Sequence, residues 1–267
     1  MAFEFHKDKV RYFNQQKENA HKYVIPFVEQ SRALKPGSRV MEIGCAEGGV
    51  LKAFLERGCY GIGVELQENR YKNALEFLAE DIAGGQAEMI NRNIYDVDFA
   101  GRFEGTLDLI ILKDVIEHIH DQEKLMHQMH TLLKPDGQIF FGFPPWYMPF
   151  GGHQQVCESK FLSKLPYFHL LPNFMYRGVL KMFGERPIKV TNLMEIKETG
   201  ISLERFERIV KNTNYQIDEK TLFLINPIYK YKFGLKPRKQ IWPLGSIPFI
   251  KNFVTTCGYY LIRKVNT

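Results

Sequence analysis

The stretch Val40-Met41-Glu42-Ile43-Gly44-Cys45-Ala46-Glu47-Gly48-Gly49 decides the fold. A short apolar run ends in a cluster of small residues, and a helix-forming segment, Val50 to Gly58, follows at once. Small residues let backbone approach a ligand closely, and a helix start offers unpaired N–H groups. The spacing Gly44-x-Ala46-x-x-Gly49 also fits a dinucleotide-binding fingerprint. Two acids tilt the choice. Glu42 stands two residues before Gly44, where a carboxylate repels a pyrophosphate but suits a ligand with an ammonium group and a sulfonium. Glu65 lies near the end of the next apolar run, Tyr60 to Leu66, where it can accept hydrogen bonds from both hydroxyls of a ribose.

Outward from this loop, short apolar runs alternate with helical stretches. Strands are expected over 39–44, 60–66, 87–95, 106–114 and 138–144, with helices over 50–58, 68–81 and 121–134. Such runs fit a parallel sheet buried on both faces, and repeated βα units imply a doubly wound α/β domain. Two later runs, 221–229 and 256–265, are expected as antiparallel neighbours that complete a mostly parallel seven-stranded sheet. The organisation then reads as a helical preface over 1–37 and a binding core over 38–145. A lid follows over 146–200, and a C-terminal helix with the last two strands occupies 201–267. The lid is rich in Pro, Gly and aromatic residues and is too long for a simple connection.

The 267 residues suit one large domain with an insertion, and a core of that size needs no disulfide or metal staple. Cys45, Cys59, Cys157 and Cys257 form no C-x-x-C pair and read as reduced thiols in a cytoplasmic protein. The first residues contain no apolar signal region, and no run of apolar residues is long enough to span a membrane. The net charge of +6 is mildly basic, with a local excess over Tyr229 to Lys239.

Four motifs occur in order: E-x-G-x-x-x-G-G at 42–49, G-V-E at 63–65, LDLIILKDVIEHI at 107–119 and LLKPDGQIFF at 132–141. Together they resemble the successive motifs of the class I S-adenosylmethionine-dependent methyltransferases, most strongly the branch containing ubiquinone-biosynthesis-type enzymes. The resemblance covers 38–145 and implies a Rossmann-like fold with S-adenosylmethionine as cofactor. It implies that Glu42, Gly44, Cys45, Ala46 and Gly48 line the methionine end and that Glu65 holds the ribose. Leu66 would pack on the adenine, Asn93 and Ile94 would lie at its amine, and Lys113 would contribute backbone near the sulfonium. Ala46 stands where many relatives carry glycine.

On the reacting side, Asp114, Glu117 and His118 are expected on one face of a helix that starts where strand four ends. Two carboxylates and an imidazole suit a divalent ion, and some ubiquinone-type relatives bind a metal at this motif. No metal is assigned here, since His118 serves equally as a packing group or a base. Gly151-Gly152-His153-Gln154 opens the lid, and His153 is the preferred catalytic residue, with His118 second. The two glycines are expected to admit substrate closely, with Gln154 beside it. Trp146, Tyr147, Phe150, Tyr167 and Phe168 supply either apolar walls or the lid's own core.

The expected function is methyl transfer to a small-molecule, lipid or sugar acceptor, with oxygen the favoured atom. The alternatives are a cofactor-binding protein of the same fold without catalysis and, against the argument from Glu42, an NAD-dependent oxidoreductase. No Asn/Asp-Pro-Pro-aromatic motif follows strand four, so a nucleic-acid substrate is not expected. The oligomeric state stays open. Residues 226–253 interleave Lys230, Lys232, Lys236, Arg238, Lys239 and Lys251 with Tyr229, Tyr231, Phe233, Trp242, Phe249 and Phe253, with no acid. The segment either folds its aromatics back onto the sheet or a subunit, which is the favoured outcome, or touches an anionic membrane.

Overall fold

The computed structural model describes residues 8–265; the first seven residues of the helical preface lie outside the described residues. Helix α1 (Lys9–Asn19) is capped by Asp8, whose side chain accepts from the Arg11 amide. It runs through a π turn at Ala20–Val24 into α2 (Ile25–Val28). The core continues as β1 (Arg39–Ile43), α3 (Gly49–Leu55), β2 (Tyr60–Val64), α4 (Glu68–Phe77), α5 (Ala79–Ala83) and β3 (Ala87–Ile90). Then come α6 (Val97–Phe103), β4 (Leu107–Lys113), α7 (Gln122–Leu132) and β5 (Leu133–Phe143). The lid contains α8 (Asn173–Met182) and α9 (Pro187–Thr199). The chain ends with α10 (Leu203–Asn212), β6 (Tyr215–Ile225), α11 (Tyr229–Phe233), β7 (Arg238–Lys239), α12 (Ile250–Val254) and β8 (Cys257–Lys264).

The architecture is a Rossmann-like α/β sheet in the order β3-β2-β1-β4-β5-β8-β6-β7. The first five strands run parallel, and β8, β6 and β7 join antiparallel. The sheet has eight strands rather than the expected seven, because β7 adds to the edge through Phe223↔Lys239 and Ile225↔Arg238. A strand of two residues has no periodicity to read. Strand order reverses between β1 and β4, so the carboxyl ends of both strands open onto one crevice.

Alternation along the strands divides the core. Leu109, Ile111 and Phe140 face one side with Phe27 and Phe54, while Ile110, Leu112 and Phe141 face the other with Leu125 and Phe206. Helix α10 shows the usual logic: Leu203, Phe206, Ile209 and Val210 share its buried stripe, and Ser202 caps its start.

Three local readings change. The helix expected over 68–81 is two helices, α4 and α5, hinged at the buried Leu78. Helix α6 adds an element not expected between strands three and four. No helix follows β4: Asp114 takes φ 57° and only a 3₁₀ turn, Ile116–His118, comes after it. Asp114, Glu117 and His118 therefore do not share a helix face. The lid builds a small core around Leu162, Tyr176, Leu180 and Leu193. It docks where Thr199 Oγ1 donates to the Glu117 carbonyl at 2.6 Å and Gln122 donates to the Thr199 carbonyl at 2.9 Å.

Residues 226–253 behave in two ways. The first part folds back, with the Tyr231 carbonyl accepting from Gln15 and its hydroxyl donating to the Glu18 carbonyl. The second part exposes Ile241, Trp242 and Phe249. Among the described residues no helix is long and apolar enough to cross a membrane.

Two glycines test the packing. A Cβ on Gly49 would lie 2.5 Å from the Phe13 carbonyl oxygen of α1, and backbone there cannot step aside cheaply. Gly49→Ala should therefore lower unfolding free energy by about 1–3 kcal/mol. Gly178, in exposed α8, meets nothing within 4 Å. Gly178→Ala should stabilise by about 0.5–1 kcal/mol. Denaturant midpoints of the two variants should move in opposite directions.

Candidate active site

The loop after β1 is held from both sides. The amides of Gly44 and Cys45 donate to the Val64 carbonyl at 2.8 and 3.1 Å. Glu65 Oε2 accepts from the Ala46 amide at 2.8 Å, and its Oε1 accepts from Gln67 at 2.7 Å. Ala46 sits at φ 51°, a left-handed conformation that favours glycine, and the tie to Glu65 keeps it there. Glu42 accepts from the Leu51 amide at 2.9 Å and so caps α3 from below. It is 3% exposed, and burial pushes its carboxyl up to about 8, against the opposing pull of that hydrogen bond and of Lys113.

A pocket opens at this point. Of the residues expected at the methionine end it is lined by Glu42, Gly44, Cys45, Ala46 and Lys113. Sequence reasoning missed Glu47, Arg70 and Asp114 on its wall and Tyr12, Phe13 and Gln16 above it. Glu47 lies inside the quoted motif, so its position was a usable signal. Helix α1 gave none, since nothing in its sequence marks its destination. Gly48 stands beside the pocket as the left-handed residue that starts α3. Beyond the pocket, Leu66 is exposed, Ile94 is buried in the core, and Asn93 is an exposed turn residue whose Oδ1 accepts from Tyr95.

Glu47 Oε2 is buried without a hydrogen-bond partner, beside the equally buried Glu42. Lys113 is not limited to backbone contact, because its buried side chain pairs with Asp114 at 2.5 Å. Burial opposes the charge on Lys113, but Asp114 together with Tyr259 and Tyr12 outweighs it and holds the lysine protonated; Lys113 in turn holds Asp114 below the ordinary carboxyl range despite burial. With that lysine paired to Asp114, the acids Glu42 and Glu47 line the pocket together with Arg70, a set that suits a ligand head carrying both an ammonium and a carboxylate.

Beyond Asp114 the structure brings together Glu117, His118 and His153. Their ligand-capable atoms lie within 4.8 Å of one another, and the two imidazole rings meet edge to face at 4.9 Å. The set that could hold a metal thus exchanges Asp114 for His153, because Asp114 lines the pocket after β1 instead. Both Glu117 carboxylate oxygens are buried without partners, and burial, then the Asp114 charge, pushes its pKa well up. Desolvation by burial, then the nearby His118, pushes His153 down to about 4; His118 is lowered as well, by desolvation. Both rings are neutral at neutral pH. Lys232 of α11 is also close enough to feel Asp114 and, by burial first, is pushed down to about 8.

The neighbours of His153 differ from expectation. A Cβ on Gly151 would strike the Trp146 carbonyl oxygen, and one on Gly152 would strike His169. These glycines serve close packing within the lid, not substrate approach. Gln154 is fully buried and donates to the Pro149 carbonyl at 2.8 Å, so it braces the lid and does not face an acceptor. Phe168 packs on Tyr176 in the lid core, and Trp146 packs on His169.

A Rossmann-like sheet with a carboxylate-lined pocket at the β1/β4 crevice defines the class, that of the Rossmann-like methyltransferases. The chain belongs to the methyltransferase-domain family, whose model matches residues 15–154, just over half of its length. It is 27% identical over 117 residues to a ubiquinone biosynthesis O-methyltransferase of Coxiella burnetii, covering 44% of this chain and 47% of that protein. An uncharacterized methyltransferase of a Mycobacterium species is 25% identical over 148 residues, 55% of each chain. The chain thus spans about half the length of these curated relatives. Among solved structures it is similar to a geranyl diphosphate C-methyltransferase of Streptomyces coelicolor, with TM-score 0.59, 12% identity, and 93% and 79% of the two chains covered. It is also similar to a phosphoethanolamine N-methyltransferase of Haemonchus contortus, with TM-score 0.56, 17% identity, and 90% and 52% covered. At these identities the structural likeness establishes the fold.

Glu42 yields a stability test. Its folded pKa of about 8 lies above the 4.5 of an ordinary glutamate, so between those values the folded state binds more protons than the unfolded state. Stability contributed by protonated Glu42 is therefore lost as pH rises through about 8. Glu42→Gln should flatten that fall and be more stable than the parent at pH 9 by about 1–3 kcal/mol. Unfolding curves of both proteins at pH 5, 7 and 9 check it; equal stability differences at all three values would refute it.

Proposed function

We propose that this chain is an S-adenosylmethionine-dependent methyltransferase that methylates an oxygen of a small-molecule acceptor. Bound S-adenosylmethionine supplies a methyl group already activated on a sulfonium. Glu42 and Glu47 would hold the cofactor's ammonium end, and Arg70 would face its carboxylate. Glu65 has lone pairs left after its two amide bonds and would take the ribose hydroxyls. Leu66 would cover the adenine, with Asn93 and Ile94 at its far edge. The backbone of Gly44, Cys45 and Ala46 would form the floor, with Gly48 fixing the turn, and Lys113 would keep Asp114 ionised at the reacting end.

The observation that carries the oxygen reading is the His118–His153 contact next to Asp114. A hydroxyl acceptor must lose its proton as the bond forms, while a neutral amine need not do so first. Two neutral imidazoles beside Asp114 can take that proton. Once one ring is charged, Asp114 favours it. The remaining role of the chain is to place the acceptor in line and keep water out, which falls to the lid over 146–200. Relatives named for ubiquinone biosynthesis and geranyl diphosphate support an acceptor of small-molecule size.

A second reading places a divalent ion on Glu117, His118 and His153, favoured by the unpartnered Glu117 carboxylate. Ligand atoms around one ion at about 2.0–2.2 Å lie no more than about 4.4 Å apart. The three ligand-capable atoms lie within 4.8 Å of one another, a span close to that limit; the base reading is preferred because the two neutral rings already stand beside Asp114.

Calorimetry should detect S-adenosylhomocysteine and no NAD. With labelled S-adenosylmethionine and a panel of small phenols, alcohols and amines, His153→Ala and His118→Ala should each slow turnover roughly 10²–10⁴-fold. Cofactor affinity should stay within about threefold. Because the rings act as a pair, the double variant should be little worse than either single one. Turnover on amines alone would overturn the oxygen assignment, and cofactor binding without turnover on any acceptor would favour the non-catalytic alternative. Loss of activity in EDTA, restored by added magnesium or manganese, would replace the base reading with the metal reading.

A further inference from the structure

We infer that residues 241–250 form a docking tip that seats the protein on an anionic lipid bilayer. The tip lies on the connection between β6 and β8, away from the cofactor pocket. It exposes large apolar side chains in close succession: Trp242 is 84% exposed, Phe249 68%, Ile241 58% and Ile250 49%. Contiguous apolar surface of this kind on a soluble domain marks a contact that the isolated chain does not satisfy.

The tip is held in place from below. Gln240 donates from its amide to the Leu222 carbonyl at 2.8 Å and from its side chain to the Val254 carbonyl at 2.6 Å. Asn252 is fully buried, accepts from the Leu203 amide at 2.8 Å and donates to Glu204 at 2.6 Å. Lys251 is drawn inward to Glu204 at 3.4 Å. The polar residues of α12 thus face the body while Phe249 and Ile250 face water, the reverse of how a helix that simply packed on its own domain would sit.

Charge selects the occupant. Lys236, Arg238 and Lys239 are exposed at the tip's margin, two of them fixed by β7 pairing on the sheet edge. The whole of 226–253 contains no acidic residue. A two-fold contact with a second copy would set this basic margin against itself or leave it idle. An anionic bilayer satisfies both parts, since basic residues are attracted to its headgroups and Trp and Phe settle at the headgroup boundary. The tip also adjoins the lid: the Phe253 ring lies 5.4 Å from Tyr147, and the Tyr167 hydroxyl donates to the Phe253 carbonyl. The inference does not depend on which acceptor is methylated.

Sedimentation of the full chain with phosphatidylcholine vesicles, with and without 30 mole per cent phosphatidylglycerol (roughly the range in which headgroup charge dominates), tests it. Binding should need phosphatidylglycerol and fall at high salt. Replacing Lys236, Arg238 and Lys239 together by Gln should weaken it roughly a hundredfold. Trp242→Ser with Phe249→Ser should also abolish it, with the unfolding midpoint and S-adenosylhomocysteine affinity unchanged. Phe174→Ser with Met182→Ser on the exposed face of α8 should leave binding intact. No binding to anionic vesicles at low salt overturns the proposal, as does binding that survives in both tip variants. A concentration-dependent dimer that the Trp242/Phe249 variant converts to monomer would make the tip a subunit contact instead. Direct insertion has its own readout: the chain has two tryptophans, Trp146 and Trp242, and under tryptophan-selective excitation the vesicle-induced blue shift should vanish in Trp242→Phe.

Discussion

Two buried carboxylates bonded to backbone amides hold the rest of the site in register. Glu65, at the end of β2, reaches across to the Ala46 amide, and Glu42, at the end of β1, reaches up to the Leu51 amide. One fixes the loop sideways and the other fixes the helix that follows it. Both make their bonds in a buried setting, where hydrogen bonds gain strength but leave little room for error. The cost is visible in Glu42, whose burial favours the neutral form. A site that carries this penalty is matched to a cation beside Glu42, which would favour the ionised form.

The same trade recurs on the acceptor side. Asp114 and His153 both adopt left-handed backbone conformations without being glycine, and Glu117 is buried with neither oxygen bonded. These two strained residues and this orphaned carboxylate meet where the end of β4 faces the start of the lid. Thr199 and Gln122 secure it by tying α9 to the 3₁₀ turn, so the lid does not close over the cluster as a loose flap but is bonded to its backbone. The lid's own core around Tyr176 and Leu193 gives that anchor something rigid to hold.

The C-terminal strands extend this logic to the surface. Adding β8, β6 and β7 antiparallel leaves a long connection between β6 and β8 that no crossover helix needs to occupy. Its first half closes on α1, which in turn roofs the cofactor pocket through Tyr12, Phe13 and Gln16. Its second half projects. A single connection therefore braces the helix above the pocket at one end and presents apolar side chains to solvent at the other.

The sequence by itself determined the parallel core, the loop after β1 and the two acids beside it. Apolar runs, small residues and strand-end carboxylates act through local backbone geometry, so their meaning survives without neighbours. It also marked His118 and His153, but as alternatives separated in the chain by a helix and a strand, α7 and β5. Only the tertiary structure made them one pair, because the left-handed turn at Asp114 swings that carboxylate into the pocket and the docked lid lowers His153 into its place beside Glu117. The helix expected there failed for the same reason: a periodic reading cannot register one residue of positive φ. The roof of α1, the edge strand β7 and the inward role of Gln154 were equally out of reach, since each depends on a partner more than the next turn away. What the fold alone decided was which polar groups would be buried together, and burial is what sets their charge.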